Sequence, residues 1–166
     1  LTRPLKKISR FKGKDSQYDH LIQGWTQYWN EVLKPSEPLD PHVVKALVAT
    51  ESRFDPKIFN HKKGKDAAYG LMQVTVETVQ LLKSSKELKD HYVELTEEDM
   101  KDPNLTICAG IRWLFRKKEI AKSQLKRKAT WREGVEEFKG YRNKKEKKGM
   151  HNFDADYADM TGAPLK

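Results

Sequence analysis

The sequence predicts a mostly α-helical single domain, and three observations carry that expectation. Apolar residues recur at the helical period through several segments. Two Asp-Pro pairs, Asp40-Pro41 and Asp102-Pro103, read as an N-cap followed by proline in the first helical turn. Thr130 with Glu133 three residues on reads as a capping box.

Taken in order, "DSQYDHLIQGWTQYWNEVLKP" predicts a first helix, because Tyr18, Leu21, Ile22, Trp25, Trp29, Val32 and Leu33 share one face. Pro35 and Pro38 mark the loop after it. A second helix opens at Asp40, carries Val43, Val44, Leu47 and Val48, and ends near Ser52. "RFDPKIFNHKKGKDAAYG" is a polar loop punctuated by Pro56 and Gly64. "GLMQVTVETVQLL" reads as a turn leading into a helix, with a short strand in "LMQVTV" as the alternative. A polar stretch reaches Lys101, and a long helix then runs through Leu105, Ile107, Cys108, Ile111, Trp113, Leu114 and Phe115. The capping box opens a last helix with Trp131, Val135 and Phe138 on one face. "RNKKEKKG" reads as a basic loop, and the acidic tail from His151 as solvated.

The expected division is an N-terminal helical extension over 1–39, a core over 40–141, and a basic loop and tail over 142–166. The chain opens with Leu1 and shows no secretory signal, so we expect one domain of a larger protein. No apolar run approaches the roughly 20 residues that span a bilayer. Cys108 is the only cysteine, which rules out an internal disulfide and predicts a buried structural thiol.

The net charge of +9 suits an anionic partner and does not choose among nucleic acid, a membrane surface and an anionic wall. The run "KGYRNKKEKKG" has no nucleic-acid recognition motif beside it. The five histidines form no zinc spacing. "DADYAD" lacks the glycine and terminal glutamate of a calcium loop, so no metal or cofactor is expected.

The residue that raises a question is Glu51, in "ATESRFDP". At about 100° per residue it falls two turns after Val44, along the face of Leu47 and Val48. A carboxylate on an apolar stripe is costly unless paired, hydrogen-bonded or used. Desolvation there raises a carboxyl pKa, which suits a general acid. The alternatives left open are a frayed helix end with Glu51 in solvent, or pairing with Arg53.

Three segments carry a resemblance. "ESRFDP" resembles the E-S-x-F-x-P signature of soluble lytic transglycosylases. "AAYGLMQVT" resembles their G-L-M-Q motif, and "DPNLTICAGIRWL" resembles the helix that follows. The match runs in order from Asp40 to Tyr141. Goose-type lysozymes share the first two elements. The resemblance implies a lysozyme-like fold with a substrate cleft for a peptidoglycan glycan strand.

By that resemblance Glu51 is the catalytic acid, protonating the oxygen between N-acetylmuramic acid and N-acetylglucosamine. It implies substrate or helix-end roles for Ser52 and Phe54, and cleft contacts from Met72 and Gln73. It also implies close backbone approach at Gly70, and a sugar-facing surface on Tyr69 for which core packing is the alternative. The family often carries A-Y-N in the later helix, where the tyrosine hydroxyl orients the glutamate. Here Phe138-Lys139 stand in that place, and Tyr141 is the candidate substitute. Glu136 and Glu137 are read as solvated, with the cleft as the alternative.

Hydrolysis normally employs a second carboxylate. Asp66, in "KGKDAAYG", is the candidate, with a solvated loop charge as the bland reading. The residues lean to water as acceptor, a muramidase, because of Asp66 and the altered A-Y-N segment. The alternative is a lytic transglycosylase forming 1,6-anhydro ends. A basic nucleic-acid binder and a non-catalytic wall-binding domain are the readings from other classes. The enzyme reading places action in the bacterial periplasm or wall, as a monomer. Delivery falls to a parent protein, a secretion system or a phage, and a toxin domain brings an immunity protein as partner.

Overall fold

A buried helix at the centre organises the chain. The computed structural model describes residues 3–145 and 147–166. Helix α2 (Pro41–Ser52) is capped by Asp40, whose side chain accepts from the His42 amide, and every residue from Val43 to Ala49 is buried. It packs against α1 (Asp19–Leu33), which buries Ile22, Thr26 and Trp29, and against α6 (His151–Thr161). Helix α4 (Pro103–Leu125), capped by Asp102, packs on α1 and on α5 (Trp131–Lys139). The Thr130–Glu133 capping box is present with both of its hydrogen bonds.

Between α2 and α4 the chain forms a small hairpin. β1 (Ala68–Tyr69) and β2 (Val74–Thr75) pair antiparallel, with Ala68 opposite Thr75 and Tyr69 opposite Val74. The expected turn leading into a helix is found, and the short-strand alternative is present with it, limited to Val74 and Thr75. Thr75 then caps α3 (Val76–Leu81). Gly70 turns the hairpin at φ +80°, and a Cβ there lies 2.1 Å from the Met100 carbonyl oxygen, so only glycine fits.

Two expectations are corrected. The acidic tail is not solvated. Residues 151–161 form α6, and Phe153, Asp156 and Met160 are buried. Asp156 takes a two-pronged contact from Arg10, with both distances 2.8 Å. The first helix also starts later than predicted, at Asp19, because Lys14–Ser16 is a short 3-10 turn. Asp15 in that turn meets Lys45 of α2, which is 0% exposed and lies 3.1 Å from Asp15 and 2.8 Å from Asp19. A buried lysine needs such partners, so these contacts tie the N-terminal residues to the central helix.

Candidate active site

Glu51 sits in the last turn of α2, where the chain turns through Arg53 and Phe54 at φ +54° and +63°. Phe54 is 2% exposed and anchors that turn in the core, edge-on to Phe11 at 4.9 Å. Ser52 donates to the Val48 carbonyl and is 1% exposed. The helix therefore does not fray, and Glu51 is held half-buried at its end.

The setting of Glu51 differs from both of the open alternatives. Its carboxylate pairs neither with Arg53 nor with solvent alone. Lys139 Nζ lies 2.8 Å from Glu51 Oε1 and also donates to Thr50 Oγ1 at 3.1 Å. The side chains of Lys139 and Glu51 are only 9% and 18% exposed. A pair shielded in this way interacts more strongly than one in bulk water. The apolar setting expected from the stripe is replaced by an ion pair, because the last turn of α5 delivers a cation to the end of α2.

Lys139 is the residue sequence reasoning missed. A lysine at a helix C-terminus reads as a solvated charge that complements the helix dipole. The available signal was its place in the segment where the family carries A-Y-N. Tyr141, the expected substitute, makes no side-chain hydrogen bond to Glu51 among the described residues. Its ring lies against Gly149, and Lys144 Nζ stands 5.1 Å from the ring centroid. Phe138 is half-buried against the core.

Glu136 and Glu137 are not solvated. Glu136 is 3% exposed and bonds Arg132 and Lys147, and Glu137 holds Arg142 at 2.6 Å. They brace α5 against the loop that follows it.

Around the hairpin the expected substrate residues divide into two groups. Met72 is 0% exposed, and Gly110 of α4 comes close enough that a Cβ there would lie 2.4 Å from its sulfur. Ser52 and Met72 are thus buried, Ser52 at the helix end as one of its expected roles has it, and Gly70 turns the hairpin tightly against the Met100 carbonyl. Gln73, at φ +51°, donates its amide to the carbonyls of Gly70 and Ile58 and stays partly exposed. Tyr69 is also partly exposed. It stacks on Phe59 at 4.8 Å, and a hydrogen bond with Glu97 holds its phenol above the usual tyrosine range. Asp66 is exposed in the Gly64–Asp66 turn just before β1. Its carboxylate makes no hydrogen bond or ion pair among the described residues. Two cavities, of about 680 and 340 Å³, lie elsewhere, and neither is lined by Glu51.

With this geometry in view, the family comparison is specific. The family model described as the transglycosylase SLT domain matches residues 28–153, about three quarters of the chain. The chain belongs to this family, and the helical fold agrees with it. It is therefore a peptidoglycan glycosidase of the lytic transglycosylase and lysozyme-like kind. The matched region begins inside α1 and ends inside α6. Neither the comparison with curated proteins nor that with solved structures gives a match. No helix among the described residues is long and apolar enough to cross a membrane.

Proposed function

We propose that this domain cleaves the β-1,4 bond between N-acetylmuramic acid and N-acetylglucosamine as a lytic transglycosylase, with Glu51 as its acid and base. The observation that carries the reading is the Lys139–Glu51 pair at the end of α2. Glu51, once protonated, gives its proton to the glycosidic oxygen as the bond from muramic C1 breaks. The muramic 6-hydroxyl then bonds to C1 and returns its proton to Glu51. No water is consumed, and the product carries a 1,6-anhydro ring. Between the two transfers Glu51 is a carboxylate, and the Lys139 ammonium stabilises it there.

The glycan would lie against Glu51, Tyr69 and Gln73, each of which is partly exposed. The basic surface favours approach to an anionic wall. Action falls in the periplasm or wall, by a monomer delivered by a parent protein, a secretion system or a phage. Delivery as a toxin brings an immunity partner in the producing cell.

A second reading keeps the same acid and uses water as acceptor. The unpaired, exposed Asp66 beside the hairpin favours it, as the group that would position the water. Mass spectrometry of muropeptides released from purified sacculi separates the two. Anhydro ends, lighter by one water, support transglycosylation. Reducing muramic ends support the muramidase and assign Asp66 the second role.

A further inference from the structure

The larger cavity, about 680 Å³, lies between the end of α1, the segment 85–91, α4 and the start of α5, and Glu51 does not line it. Its wall includes Pro35, Ser36 and Glu37, which lead into the N-terminus of α2. None of the residues placed at the glycan cleft lines the cavity.

The lining is unbalanced in charge, with seven basic side chains against four acidic ones. Two of those acids, Glu87 and Glu119, are engaged by Arg116 at 3.0 and 3.3 Å. Glu37 and Asp90 are left to face six cations. Arg112, on α4, is 2% exposed. Its Nε and Nη2 donate to the backbone carbonyls of His91 and Asp90, at 3.1 and 3.2 Å. Among the described residues no group accepts from its buried Nη1. Those carbonyls are neutral acceptors, the Trp29 ring lies 5.7 Å from the guanidinium carbon, and Glu119 and Asp90 act on the charge without bonding it among the described residues. A buried charge so placed is costly without an anion.

Lys118 adds a second cation, half-buried with its ammonium 4.7 Å from the centroid of the Trp131 ring. Burial pulls Lys118 below the usual lysine range, and Lys122 and Lys128 push the same way against the opposing Glu37. Lys118, Lys122 and Lys128 share the cavity wall, and an anion among them relieves their mutual repulsion.

We infer that this cavity binds a phosphate group, through Lys118, Lys122 and Lys128 on its wall, with the remaining basic lining adding to the positive field. A carboxylate is satisfied by one arginine fork. A phosphate offers more acceptor oxygens and up to two charges, which suits point cations gathered on several sides. The inference is independent of the reaction at Glu51.

The test is isothermal titration calorimetry of the intact domain at constant ionic strength, with inorganic phosphate and with purified poly(glycerol phosphate) as probes. The double variant Lys118→Gln/Lys122→Gln carries the test, because Arg112→Met also removes two loop hydrogen bonds and risks the fold. Lys144→Gln/Lys145→Gln, in the basic loop, is the charge-matched control. The expected result is saturable one-to-one binding that weakens at least tenfold in the double variant and stays near wild type in the control. Binding of inorganic phosphate with this pattern assigns a small phosphorylated ligand. The same pattern with the polymer alone assigns a phosphodiester chain. No saturable binding of either probe, or binding that the double variant retains, overturns the proposal.

Discussion

Lys139 Nζ and Glu51 Oε1 lie 2.8 Å apart, joining the last turn of α5 to the last turn of α2 across 88 positions of sequence. Thr50 holds the same ammonium from the next residue at 3.1 Å, and its own hydroxyl donates to the Leu47 carbonyl. The carboxylate is thereby fixed in both position and charge environment. Lys139→Met is expected to lower kcat on purified glycan strands by about 10²-fold, the scale of losing one electrostatic partner. KM should change little, because the lysine acts through Glu51. Lys139→Arg should restore part of the rate. A rise in KM with kcat intact would move Lys139 from positioning to substrate binding.

Met72 fills the space opposite Gly110, so its truncation should appear as lost stability. Met72→Ala is expected to cost ~2–5 kcal/mol in chemical denaturation, the range for emptying a buried site. Gly110→Ala should also destabilise, because its Cβ would lie 2.4 Å from the Met72 sulfur. Neither change should raise KM for glycan. Normal stability with weakened binding would return Met72 to the cleft.

The start of α5 predicts an acid-sensitive contribution. A hydrogen bond from Arg127 holds the Glu133 carboxyl down at about 2, well below the usual carboxylate range. A depressed carboxyl stabilises the fold fully above its unfolded value and loses that effect as pH falls through its folded value. Arg127 is more than half exposed, which screens the pair. Arg127→Ala should therefore cost ~1 kcal/mol at neutral pH. That difference should shrink between pH 4.5 and about 2 in denaturation curves.

Cys108 should be unreactive in the folded domain. It is 9% exposed, its backbone carbonyl accepts from Trp29 at 3.0 Å, and burial pushes its thiol up to about 11. Iodoacetamide at neutral pH should label it slowly in native buffer and readily in denaturant. Rapid native labelling would contradict the packing of α4 on α1.

Local signals proved readable, and tertiary ones did not. Asp40-Pro41, Asp102-Pro103 and the Thr130–Glu133 box each act within one helical turn, so sequence alone located α2, α4 and α5. The apolar stripe of α2 brought Glu51 to notice. It gave no hint of Lys139, because nothing at a helix end tells which distant group it meets. Lys45 was hidden for the same reason, since its partners Asp15 and Asp19 arrive from another element. Helix α6 was obscured by its acids. Phe153, Tyr157 and Met160, spaced four and three residues apart, were the signal that could have found it. Asp156, among those acids, is buried because Arg10 reaches it from the far end of the chain.

The most direct measurement is release of muropeptides from purified sacculi by wild type and Glu51→Gln, with circular dichroism of both. The amide is nearly isosteric and cannot give or take the proton. The account predicts matching spectra and melting curves, with release reduced about 10²- to 10⁴-fold in the variant. A folded Glu51→Gln that releases muropeptides at the wild-type rate would contradict the assignment of Glu51 as the catalytic acid.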